Sequence, residues 1–73
     1  MMPKASIAND IRRLRFENDE MTQQELANRA GCTRQTIIVL EKERYVPSLG
    51  LAFSIARVFN KTIEEVFEYS GEE

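Results

Sequence analysis

The stretch Thr22–Leu40 constrains the fold more than any other part of this chain, and it reads Thr-Gln-Gln-Glu-Leu-Ala-Asn-Arg-Ala-Gly-Cys-Thr-Arg-Gln-Thr-Ile-Ile-Val-Leu. Leu26, Ala27 and Ala30 before Gly31, and Ile37 and Leu40 after it, recur at the spacing that puts side chains on one helix face. Two short helices joined by a tight turn follow from that pattern. Thr22 and Glu25 make a Thr-x-x-Glu capping box, in which the hydroxyl accepts from the third helical amide and the carboxylate reaches back to the Thr22 amide. Met21 and Leu26 are placed as its hydrophobic staple. Thr33 is the cap of the second helix with Cys32 and Ile37 as staple, although Thr36 stands where a box needs Glu or Gln. Gly31 ends the first helix, because without a Cβ it enters the left-handed conformation free of a clash.

The flanking segments read as further helices. Ile7, Ile11 and Leu14 predict an amphipathic helix from Ser6 to about Asn18, which also carries Arg12, Arg13 and Arg15. For Arg12 and Arg13 a solvated helix face stands beside a functional reading. Glu17-Asn18-Asp19-Glu20 has no apolar residue and is a loop or a frayed helix end. Pro47-Ser48 is a start signal for a helix from Leu49 to about Phe59, whose apolar residues cover more than one stripe and so place it centrally in the core. Asn60-Lys61 is a turn. Thr62-Ile63-Glu64-Glu65 is another capping box, opening a short last helix with Ile63, Val66 and Phe67 on its inner side. Tyr69 and a solvated acidic tail, Glu72-Glu73, follow. The expected fold class is all-α, with five helices in a single domain over 1–73 that is ordered from about residue 6 to 69.

Gln23 through Glu41 resembles the helix-turn-helix of the phage repressor and Cro family, also called the XRE family. Gln23 stands first, Leu26-Ala27 fourth and fifth, Ala30-Gly31 eighth and ninth, Ile37 fifteenth and Leu40 eighteenth. The match continues through Glu41, Tyr45 and Pro47-Ser48-Leu49, and covers about Ile11 to Phe67. The resemblance implies a lambda-repressor-like domain, a transcriptional regulator and specifically a repressor, with a recognition helix at about 34–42 in the major groove of double-stranded DNA. It also implies that Arg15 pairs with Glu41, bracing the first helix against the third. The chain departs from the family at two places: the Glu17–Glu20 loop is one residue longer than the commonest spacing, and Glu43 replaces a common Gly, so that the backbone there must either strain or let the helix run on.

Angular position separates structure from function on the recognition helix. Ile37 and Leu40 lie about 60° apart and point at the core, while Gln35 and Val39 lie opposite, bordered by Thr36 and Ile38. Arg34, Gln35 and Thr36 occupy the first turn, where an Arg pairs bidentately with guanine and a Gln with adenine, so they are expected base contacts. Ile38 and Val39 are either thymine-methyl contacts or a second packing surface, against Tyr45. Gln23, at a helix N-terminus that favours anions, is an expected phosphate contact, with Thr33, Lys42 and Arg44.

Composition excludes more than it selects. With no His and a single Cys32 the chain offers no internal disulfide, no metal cluster and no Ser-His or Cys-His pair, so it is not expected to be an enzyme. No cofactor or small-molecule ligand is inferred. No apolar run nears the ~20 residues that span a bilayer and no signal peptide is read at Met1-Met2-Pro3-Lys4-Ala5, so a cytoplasmic location is expected. The net charge of -2 counts against nucleic acid as an average, but its distribution matters more. Eight basic and seven acidic residues lie from Met1 to Tyr45, against two and five from Val46 onwards. A local basic rim on an otherwise acidic molecule is expected. The family resemblance further implies a homodimer on a palindromic operator, with half-sites ~34 Å apart. Phe59, Ile63, Val66, Phe67 and Tyr69 either form its interface or simply close the core. The rival to DNA binding is a protein-interaction or antitoxin-like module using the same fold, supported by the acidic charge and by Ile38 and Val39 if exposed.

Overall fold

Hydroxyl side chains start four of the helices. The computed structural model describes residues 6–70, in the order β1 (Ser6–Asn9), α1 (Ile11–Glu17), α2 (Gln23–Ala30), α3 (Arg34–Glu41), α4 (Leu49–Val58), α5 (Ile63–Val66) and β2 (Phe67–Ser70). Thr22, Thr33, Ser48 and Thr62 sit in extended backbone at the starts of α2 to α5. Each accepts from the amide three residues on, at 2.9, 3.2, 3.1 and 3.2 Å. A cap of this kind contributes about 1 kcal/mol. At Thr62 the box is complete, with the Thr62 N–H donating to Glu65 at 2.8 Å. At Thr22 it is half made: Glu25 instead pairs with Arg29 at 3.1 Å, one turn on.

The all-α expectation is corrected at both ends. Residues 6–9 are a strand, not the first turns of a helix, and pair antiparallel with 67–70 in the register Ser6↔Ser70, Ile7↔Tyr69, Ala8↔Glu68 and Asn9↔Phe67. Ile7 reaches the core from that strand, so its spacing to Ile11 mimics a helical repeat. Asn9 makes the break: its Oδ1 accepts from the Ile11 N–H at 3.1 Å, and its Nδ2 donates to the Leu40 carbonyl at 2.8 Å. Phe67 is correspondingly the extended residue that ends α5 rather than part of a helix. The acidic pair Glu72-Glu73 and the segment 1–5 lie outside the described residues.

One core unites the elements. Ile11, Leu26, Ile37, Leu40, Ile55 and Val66 are fully buried, with Leu14, Met21, Phe59 and Phe67 around them. Helix α2 packs on both α3 and α4, and α4 on α5. Helix α4 contributes Ala52, Ile55 and Ala56 to the core as expected of a central helix, but not every apolar stripe is covered: Leu49 and Phe53, four residues apart, are 71% and 52% exposed. Of the expected interface set, Phe59, Val66 and Phe67 are core residues at 5%, 2% and 8% exposure, the alternative in which they close the core. Phe59 follows Ile55 by four residues on the buried stripe, and Phe67 is the one inward-facing residue of β2. Of that set Ile63 is half-buried and Tyr69 is 69% exposed.

Gly31 turns the chain between α2 and α3 at φ +81°, and its N–H and that of Cys32 both donate to the Ala27 carbonyl. This left-handed stop fixes the direction in which α3 leaves α2.

Candidate nucleic-acid interface

Helix α3 buries one side and presents the other. Ile37 and Leu40 are at 0% and 1% exposure, whereas Arg34 and Gln35 are exposed and Thr36, Ile38 and Val39 are half-buried. The first turn therefore offers a guanidinium and a carboxamide to solvent, flanked by branched side chains that are neither core nor fully free. Ile38 and Val39, half-buried, offer only a reduced apolar surface to a protein or a nucleic-acid partner. Thr33 and Thr36 share a hydroxyl–hydroxyl bond of 3.0 Å besides the cap, so the two side chains lock each other at the helix start.

Behind this face lies a polar brace. Arg15 meets Glu41 through Nε at 2.6 Å and Nη2 at 3.1 Å, and its Nη1 donates to the Met21 carbonyl at 2.8 Å. Gln23 joins them, its Nε2 donating to Glu41 Oε1 at 3.1 Å. The side chains of Arg15 and Glu41 are only 16% and 9% exposed, so a fork of parallel bonds ties α1 to the end of α3 in a half-dry setting. The half-buried Gln23 thus has one amide hydrogen committed to the brace, a role the sequence reading missed. It retains a second amide hydrogen for another partner.

The end of α3 resolves the question raised by Glu43. The helix stops at Glu41 and Glu43 takes φ +59°, the strained alternative. Its N–H donates to the Leu40 carbonyl at 2.9 Å and that of Arg44 to Val39 at 3.1 Å, which closes the helix as a Gly would. The Glu43 carboxylate accepts from the Asn9 N–H at 3.3 Å. The first strand is thereby tied to the C-terminal end of α3 at two points, and no local sequence signal announces either tie.

Charge around α3 is unlike the molecular average. Among the described residues Arg13 pairs with Asp10 and Glu17, Arg15 with Glu41 and Arg29 with Glu25, while Arg12, Arg34, Lys42 and Arg44 form no ion pair. Arg34 opens α3, Lys42 caps it and Arg44 follows, all three exposed. Arg34 also borders a shallow depression at the start of α2 with Thr22, Gln23 and Arg15. These cations are free of direct ion pairs, although Glu20 shares the depression with Arg34 and Glu43 stands between Lys42 and Arg44. Cys32, beside the turn, is half-buried, and burial pushes its thiol pKa up. It is therefore less of a thiolate at neutral pH than a free cysteine.

A sequence model described as Helix-turn-helix matches residues 11–66. An uncharacterised HTH-type transcriptional regulator of Archaeoglobus fulgidus is 58% identical over 53 residues, covering 73% of this chain and 75% of its own. Another, from Methanocaldococcus jannaschii, is 51% identical over 53 residues, covering 73% and 80%. A crystal structure described as that of a candidate DNA-binding protein from Bacteroides fragilis superposes with a TM-score of 0.73 at 22% identity, over 85% of this chain and 98% of that one. At that identity the likeness speaks for the fold alone.

Proposed function

The chain belongs to the XRE-type helix-turn-helix family of DNA-binding transcriptional regulators, and from that premise we propose that it is a repressor that reads a palindromic operator with α3 as a homodimer. In this reading Arg34 and Gln35 contact base edges, Thr36, Ile38 and Val39 line the thymine-methyl side, and Gln23, Thr33, Lys42 and Arg44 hold phosphates that set the register. The observation that carries it is the exposure of Arg34 and Gln35 on the first turn of a helix bordered by unpaired cations. Repression follows if the occupied site overlaps a promoter.

The second copy is assigned to the outer stripe of α4. Leu49 lines a groove with Pro47 and Ile63, and Phe53 an adjoining one with Ile63, Arg57, Lys61 and Glu64. An apolar centre rimmed by both charge signs is self-complementary, as a two-fold contact requires, whereas a nucleic-acid or acidic partner would call for cations alone. Selection from a random duplex pool tests the whole reading. Recovery of an inverted repeat with half-site centres one helical turn apart supports it. Retention that is insensitive to salt, on duplex DNA of any sequence, refutes it, because phosphate contacts make affinity fall steeply as salt rises.

A further inference from the structure

Arg12 differs from its neighbours on α1. Arg13 is held by Asp10 at 2.9 Å and Glu17 at 3.2 Å, and Arg15 by Glu41, but Arg12 is exposed and has no carboxylate partner among the described residues. It lines a groove between α1 and α3 together with Arg15, Gln23, Ile38, Glu41 and Lys42. Residues three apart on α1 and four apart on α3 share a face to within about 60°, so Arg12 and Arg15 form one bank and Ile38 and Lys42 the other. Ile38 is at the same time the edge of the proposed reading face. The only anion in this groove, Glu41, is already engaged by Arg15 and Gln23. Three cations against one saturated carboxylate leave the groove electropositive.

We propose that Arg12 contacts a phosphate of the DNA strand bordering the groove that α3 enters, acting as a positioning residue that sets how far the domain tilts over the duplex; this rests on the DNA-binding reading above. Scale supports the placement. A helix with its side chains is about 10–12 Å across and the major groove about 12 Å wide, so α3 fills it from wall to wall. The groove between α1 and α3 sets Arg12 to the side of α3, which puts its cation over the wall rather than over the bases. Arg13, a further ~100° around α1 and neutralised by two acids, is the built-in control.

The experiment measures binding of Arg12→Ala, Arg12→Lys, Arg13→Ala and the parent protein to a random-sequence duplex and to a selected site, from 50 to 200 mM salt. Expected is a slope of log affinity against log salt that falls by about one unit for Arg12→Ala, with the same fold-loss on both duplexes. Arg12→Lys should restore the slope, Arg13→Ala should leave it unchanged, and all four proteins should melt alike. A parental slope in Arg12→Ala, or a loss confined to the selected site, overturns the assignment while leaving DNA binding intact. Absence of any salt slope in the parent protein overturns both.

Discussion

At Glu43 the backbone is left-handed in a residue that has a Cβ, at a cost of about 1–2 kcal/mol. Glu43→Gly should therefore raise the melting temperature, the lost contact to the Asn9 amide being long and exposed. It should also tighten duplex binding at low salt, since it removes an anion between Lys42 and Arg44, the two expected phosphate ligands. Thermal melting and a titration of random duplex check the two halves separately. Arg15 sits at the opposite extreme, in a nearly buried pair. Arg15→Ala leaves the Glu41 carboxylate at 9% exposure with only Gln23 to hold it, and should cost about 3 kcal/mol by chemical denaturation. A variant that melts like the parent would show that the brace contributes little. Both positions were legible as residues of interest, but the positive φ at Glu43 and the second partner of Glu41 depend on where Asn9 and Gln23 end up.

Among the elements, α2 and α3 could be read from sequence because their signals are local: a hydroxyl cap, a glycine stop and an apolar repeat within one turn of each other. The terminal strands could not be read, because a strand of four residues is stabilised by its partner, and Ser6–Asn9 finds that partner some sixty residues away at Phe67–Ser70. Asn9, with one side chain accepting from the first amide of α1 and bonding the end of α3, carries no pattern that a single segment displays. The capping box of α5 has a pH signature. Glu65 is held below the usual carboxylate range, chiefly by the hydrogen bond from the Thr62 amide, so its contribution is complete above pH ~4.3 and is lost as pH falls through the depressed value. The Thr62 amide resonance should shift with that titration, and Glu65→Gln should flatten the response.

For the whole molecule, the surface that the core leaves over decides the assembly. Leu49 and Phe53 are exposed in the single chain, so Leu49→Glu or Phe53→Glu should leave its fold intact. Sedimentation should show a dimer for the parent protein and a monomer for either variant, and affinity for an inverted repeat should drop towards that for one half-site. Phe59→Glu, by contrast, buries a charge and should unfold the chain. The acid balance of the chain and its proposed task are reconciled by geography, with Asp10, Glu17, Glu25 and Glu41 spent on Arg13, Arg29 and Arg15, and Arg34, Lys42 and Arg44 without a direct ion pair among the described residues. What such a surface does is decided most directly by the base preference of Gln35→Ala, measured position by position across a selected site against the parent protein. Expected is a loss of ~1–3 kcal/mol at the preferred base of one position in each half-site and indifference among the four bases there. An equal loss on every sequence, with the preference profile unchanged, would contradict it.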